Sequence, residues 1–128
     1  MSKPSVQGLL SLLLRLSDAD RFDTATRQPM LSQRAKLLEI VQRNQDTVYG
    51  RRHGFASIRS VKDYQRQVPA TTYDALAPYV DRMLRGEPQV LTAERPSMFA
   101  TTSGTTGRSK FIPVTPSYLR EYSHAVHV

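Results

Sequence analysis

Apolar residues recur at helical spacing through the first two thirds of the chain and in short, strand-like runs after that. Val6, Leu9, Leu10, Leu13 and Leu16 fall on one face of an amphipathic helix. A second helical pattern runs from about Leu31 to Gln45, with Leu31, Ala35, Leu38 and Val41 on one face. Pro29 lies just ahead of it, where a helix start tolerates proline because no N–H is needed there. Thr47-Val48-Tyr49-Gly50 breaks this pattern, and Gly54 follows soon after. Ser60-Val61-Lys62-Asp63 reads as an N-cap with an acidic residue three places on, opening a short helix that stops near Pro69. Pro78 is expected to start the next helix, with Val80, Met83 and Leu84 turned inward and Gly86 as the stop.

The pattern then changes. Val90-Leu91-Thr92 and Ser97-Met98-Phe99-Ala100-Thr101-Thr102 are β-prone, and Phe111-Ile112-Pro113-Val114-Thr115 reads as another short strand. Pro113 suits an edge position or a strand end, since it cannot donate to a ladder. Pro116 and Ser117 open a final helix with Leu119, Tyr122 and Val126 on one face. The expected fold class is α/β. A mainly helical part over about 1–88 precedes a strand–loop–strand–helix unit over about 89–128, together a partial domain. So few short strands make a marginal sheet, and the last helix reaches Val128 without a stop signal, so more of the chain is expected to follow.

Composition narrows the function. Hydrophobic residues make up 39% and charged residues 23%, the balance of a soluble globular domain. With no cysteine, disulfides, thiolate metal sites and cysteine nucleophiles are excluded, which fits a reducing cytoplasm. The Val6–Leu16 stretch, interrupted by Ser11 and Arg15, is shorter than the ~20 residues of a bilayer span and lacks the flanks of a signal peptide. A net charge of +7 favours anionic partners. The arginines, however, are scattered from Arg15 to Arg120 with only Arg51 and Arg52 adjacent, which weighs against a nucleic-acid surface.

The chemistry concentrates between Thr102 and Lys110, in Thr102-Ser103-Gly104-Thr105-Thr106-Gly107-Arg108-Ser109-Lys110. Gly104 and Gly107 let a backbone turn sharply and present N–H groups to an anion without Cβ obstruction. Thr102, Ser103, Thr105 and Thr106 add hydroxyl donors, and Lys110 adds a point charge. With a strand entering and another leaving, the segment suits triphosphate oxygens. It is not a Walker A loop, because Ser109-Lys110 stands where that motif needs glycine-lysine. A plain glycine turn with its hydroxyls in water is the bland alternative.

Ser103-Gly104-Thr105-Thr106-Gly107 followed by Lys110 resembles the signature loop of the adenylate-forming superfamily. Phe111-Ile112-Pro113-Val114-Thr115, Asp46-Thr47-Val48-Tyr49-Gly50 with Phe55, Val68-Pro69 with Tyr73, Pro78-Tyr79 and Gly86-Glu87 narrow this. Together they resemble the acyl acid–amido synthetases of the auxin-responsive promoter family, over about Leu31 to Tyr122. The resemblance implies a fragment of the large N-terminal domain of such an enzyme. It also implies ATP and Mg²⁺ as cofactors, with a small carboxylic acid and an amino acid acceptor as partners. Thr102, Ser103, Gly104, Thr105, Thr106, Gly107 and Lys110 would then hold the phosphates. The family is several times longer, so its adenine-binding segments, metal-binding acid and mobile C-terminal domain are expected beyond Val128, and the 128 residues alone are expected to be inactive.

Other residues carry less. His124 and His127 are three apart on a helix without a visible third ligand. His53 reads as a loop residue, and Tyr73 and Tyr79 as core or interface side chains. Asp18, Asp20 and Asp23 lack the glycine and closing glutamate of a calcium loop. Two other functional classes compete. One is a small nucleic-acid module, because Gly104-Thr105-Thr106-Gly107 matches the Gly-x-x-Gly loop that joins two helices in KH domains. The other is a non-catalytic truncated remnant.

Overall fold

The computed structural model describes residues 26–102 and 109–126. The predicted Val6–Leu16 helix, the Asp18–Asp23 cluster, Ser103–Arg108 and His127 lie outside them. Helices α1 (Pro29–Arg43), α2 (Val48–Arg52), α3 (Val61–Gln67) and α4 (Tyr73–Leu84) precede a hairpin of β1 (Met98–Thr102) and β2 (Lys110–Val114). Helix α5 (Pro116–Val126) follows, and a 3₁₀ turn at Phe55–Ser57 sits between α2 and α3. The described part is therefore mainly helical, with one two-stranded antiparallel sheet.

Helix α1 begins with Pro29 in its first turn and ends at Asn44, whose Nδ2 donates to the Ile40 carbonyl at 2.8 Å and so satisfies one free end group. Its inward face is shifted from the predicted one. Val41 is buried with Leu37 and Leu38 packed beside it, whereas Leu31 is 59% exposed and Ala35 is exposed. Val41, Phe55, Ile58 and Val68 form one buried cluster, so it is the C-terminal half of α1 that finds partners.

The segment after α1 is a helix where only a pattern break was expected. Thr47 is buried and caps α2: its Oγ1 accepts from Gly50 N at 2.9 Å and donates to the Asn44 carbonyl at 2.7 Å. The next free N–H groups of α2 donate to a distant segment, Val48 N to Gln89 O at 2.8 Å and Tyr49 N to Val90 O at 3.0 Å. That overturns the predicted strand at Val90-Leu91-Thr92. Val90 is wholly buried, but its carbonyl serves a helix terminus instead of a ladder, and Gln89 adopts a positive φ of 54°.

Helix α3 is the predicted capping box. Ser60 Oγ accepts from Asp63 N at 3.1 Å and donates to Asp63 Oδ2 at 2.8 Å. Helix α4 begins at Tyr73 and holds Pro78 inside it, contrary to the expected start at Pro78. A proline there forfeits one bond to the exposed first turn, and Tyr73, tied to β2 as described below, anchors that turn. Val80 and Met83 are buried as expected, but Leu84 is 42% exposed. Gly86, at φ 87°, ends the helix: its N–H reaches Met83 O at 2.9 Å and Glu87 N reaches Arg82 O at 3.1 Å, a Schellman pair. The Arg82 guanidinium forks onto the Glu87 carboxylate, with Nε 2.7 Å from Oε2.

Strands β1 and β2 pair from Met98↔Val114 to Thr102↔Lys110. Among the described residues both strands are edges, which is why Pro113 is tolerated opposite Phe99. Helix α5 starts with two caps: Ser117 N donates to Glu94 Oε2 at 3.0 Å, and Tyr118 N to Thr115 Oγ1 at 3.3 Å. The Lys36–Glu121 ion pair, at 2.7 Å, ties α5 to α1.

The Ser117 N–H, with the Arg120 guanidinium nearby, holds the Glu94 carboxyl below its ordinary range. A carboxyl with a lowered folded pKa contributes stability that is complete above its unfolded value. That contribution is lost as pH falls through the folded value. Replacing Glu94 by Gln is therefore expected to destabilise the chain at pH 7. The difference should shrink steadily from about pH 4.3 downward, as measured by urea denaturation across the range.

Candidate phosphate site at the hairpin

Thr102 and Lys110 face each other as the last register pair of the hairpin. The connection between them is therefore the predicted Ser103–Ser109 segment. Of the residues expected to hold phosphate, Thr102 and Lys110 are described; Ser103, Gly104, Thr105, Thr106 and Gly107 lie outside the described residues. The flanking elements are strands and not the two helices that a KH loop requires, which goes against the nucleic-acid alternative.

Lys110 is half-buried, and its ammonium lies 5.6 Å from the centre of the Tyr73 ring, within cation–π range. The same tyrosine grips the next residue. Phe111 N donates to Tyr73 Oη at 2.8 Å, and the hydroxyl leans toward Phe111 O at 3.4 Å. Both backbone groups of Phe111 thus face the outer edge of β2, where Tyr73 of α4 meets them. Tyr73, Asp74, Ala77, Asp81, Ser109, Lys110 and Phe111 line a concavity of about 380 Å³. It joins Ser109 and Lys110, at the exit of the loop, to one face of α4.

Tyr73 is an interface residue, as expected, and the element it meets is β2. A periodicity signal for this face did exist, because Asp74 and Asp81 are two helical turns apart. It required α4 to begin before Pro78, and the predicted boundary hid it. Tyr79 is an interface residue as expected, accepting from Arg52 Nη1 at 3.1 Å and meeting the Tyr49 ring edge-on at 5.4 Å. His53 closes α2 with its ring 4.3 Å from that of Tyr49. His124 lies in α5. Among the described residues no three His, Asp or Glu side chains converge on one point. A larger concavity of about 620 Å³ is lined by Ile40, Asn44, Tyr49, Phe55, Tyr64, Val68, Leu76 and Leu91 among others, none of them charged. No helix among the described residues is long and apolar enough to cross a membrane.

Comparison with known proteins identifies the family. Residues 18–128 match the GH3 family N-terminal domain. An indole-3-acetic acid-amido synthetase of Arabidopsis thaliana, GH3.3, is 33% identical over 90 residues, covering 69% of this chain and 15% of that protein. Another from the same plant, GH3.15, is 39% identical over 85 residues, covering 64% of this chain and 14% of that protein. A jasmonoyl-L-amino acid synthetase of Oryza sativa subsp. japonica, also numbered GH3.3, is 33% identical over 95 residues, covering 73% of this chain and 21% of that protein. The chain thus spans less than a quarter of the length of these relatives. A match that covers residues 18–128 settles the family: the chain belongs to the GH3 family of acyl acid–amido synthetases and corresponds to part of its N-terminal domain.

Proposed function

We propose that the chain is the N-terminal part of an ATP-dependent ligase that joins a small carboxylic acid to an amino acid through an acyl-adenylate. In this reading residues 1–128 are a partial adenylation domain, and Thr102, Ser103, Gly104, Thr105, Thr106, Gly107 and Lys110 receive the β- and γ-phosphates of ATP. Family membership carries the reaction class, because the matched relatives are named as enzymes that conjugate acids to amino acids. One structural observation supports the phosphate role. An antiparallel pair closes at Thr102↔Lys110, so a hydroxyl and an ammonium flank the ends of a glycine-, serine- and threonine-rich connection.

The carboxylate oxygen of the acid attacks the α-phosphorus of ATP, and the bond from that phosphorus to the bridging oxygen breaks. Pyrophosphate leaves with the electron pair. The amine of the amino acid then attacks the acyl carbon, AMP departs, and the amine proton passes to solvent. Donors fixed around the β- and γ-phosphates favour the first step because negative charge grows there as the bond breaks. Mg²⁺ would offset charge on the triphosphate. Among the described residues no convergent set of acids would hold it.

Replacing Lys110 by Ala is expected to weaken the affinity of the chain for inorganic tripolyphosphate by about tenfold or more, the loss of one charge-assisted contact. Replacing Gly104 by Val should do more damage, by blocking the close approach of backbone to anion. Titration by isothermal calorimetry checks both. Equal affinities in all three proteins would remove the phosphate role from this segment.

A further inference from the structure

We propose that Tyr73 is a positioning residue for Lys110, setting where the loop's one lysine presents its charge. The inference rests on the phosphate reading above and deepens it. Lysine is a poor positioning device by itself, with a flexible four-carbon stem and a single compact charge. Two features of the structure oppose that freedom, and one side chain supplies both. The Tyr73 hydroxyl takes the Phe111 N–H at 2.8 Å and lies 3.4 Å from its carbonyl, which fixes the backbone one residue beyond Lys110. The Tyr73 ring then lies 5.6 Å from the ammonium and gives it a face to rest on.

The surroundings say why such a restraint matters. Asp74 and Asp81 line the same concavity as Lys110, so an unrestrained ammonium has carboxylates within the concavity to collapse onto. Among the described residues Lys110 makes no ion pair with either, and its ammonium lies over the Tyr73 ring. An aromatic face competes with an aspartate without neutralising the lysine, so the charge stays available to an incoming oxyanion. The hydroxyl has a separate task. Among the described residues strand β2 is an edge, and Tyr73 is what meets the outward N–H and C=O of Phe111. Because Tyr73 is the first residue of α4, one short contact couples that helix to the exit of the loop.

The test uses the whole 128-residue chain and variants that separate ring from hydroxyl. NMR reads the Lys110 Hε ring-current shift, the exchange rate of the Phe111 amide, and binding of inorganic tripolyphosphate. Tyr73→Phe is expected to keep the ring-current shift, to speed Phe111 exchange, and to weaken tripolyphosphate by about twofold to fivefold. Tyr73→Leu is expected to abolish the shift and weaken tripolyphosphate by about tenfold. In the Lys110→Met background Tyr73→Leu should have no further effect, because a residue that acts through Lys110 has nothing left to position. A purely structural tyrosine would instead give the same loss in both backgrounds, and that result overturns the proposal. So does wild-type affinity in Tyr73→Leu with the fold intact by circular dichroism. If the wild-type chain binds no tripolyphosphate at millimolar concentration, the phosphate reading itself fails, and this role with it.

Discussion

Alanine in place of Gly50 is expected to remove a large share of the chain's stability without unfolding it outright at room temperature. The reason is local and steric. A Cβ at position 50 would lie 2.1 Å from the Asn44 carbonyl oxygen, 2.9 Å from that of Gln45 and 3.0 Å from Thr47 Oγ1. The first two are backbone atoms, and the Asn44 carbonyl cannot swing aside without losing the bonds it accepts from Thr47 N at 3.2 Å and Thr47 Oγ1 at 2.7 Å. Relief would require α2 to withdraw from α1, which breaks the bonds from Val48 and Tyr49 to Gln89 and Val90 and exposes a buried threonine. Overpacking costs about 1–3 kcal/mol and a lost cap about 1 more, in a chain of this size whose whole stability is on the order of 5–15 kcal/mol. We expect a loss of about 4 kcal/mol. Gly86→Ala is the control. Nothing lies within 4 Å of a Cβ there, but φ is +87°, so only the backbone conformation resists, at about 1 kcal/mol. Urea denaturation followed by circular dichroism compares the two. A Gly50→Ala protein as stable as Gly86→Ala would show that the α1–α2 junction is looser than described.

The second large effect concerns catalysis. Residues 1–128 by themselves are expected to release no acid-dependent pyrophosphate above background. Acyl adenylation needs adenine, ribose, metal, triphosphate and acid held in one geometry, and most of its rate comes from that positioning, worth on the order of 10⁵–10⁸ in effective molarity. Beside the open concavity the described residues supply one cation, Lys110, with the Tyr73 and Ser109 hydroxyls, and no convergent set of metal-ligating side chains. Phosphate taken from good solvation by so few groups binds weakly. Helix α5 adds a practical consequence. Tyr118, Leu119, Tyr122 and Val126 are 54%, 38%, 58% and 62% exposed, an apolar face that favours association of the isolated chain at high concentration. Micromolar affinity for Mg-ATP in calorimetry, together with turnover by these residues alone, would show the argument to be wrong.

Local signals were readable where the physics is local. Ser60 and Asp63 cap α3 because a hydroxyl and a carboxylate three residues apart need only each other. Gly86 stops α4 because its positive φ excludes most side chains. The flanks of the hairpin and the start of α5 follow from β-prone runs and from Pro116. Distant partners decided the rest. Helix α2, with five residues, is too short to show a period, and its N-terminus is satisfied by carbonyls at Gln89 and Val90. That single arrangement explains both the helix that was missed and the strand that was wrongly expected. The exposed Leu31 has the same origin, since periodicity finds a helix face but not how much of it is covered. At the candidate site, the glycines, hydroxyls and Lys110 stand out in one stretch of sequence. Tyr73 does not, because its role depends on a bond to a residue 38 positions away.

Exchange of labelled pyrophosphate into ATP by the longer ligase proposed to contain this chain is the most direct measurement, run over aryl and fatty acids with amino acids withheld. Exchange that depends on one class of acid, and that falls sharply with Lys110→Ala, is the predicted result. No exchange with any acid, in a folded protein that also fails to bind ATP, would contradict it.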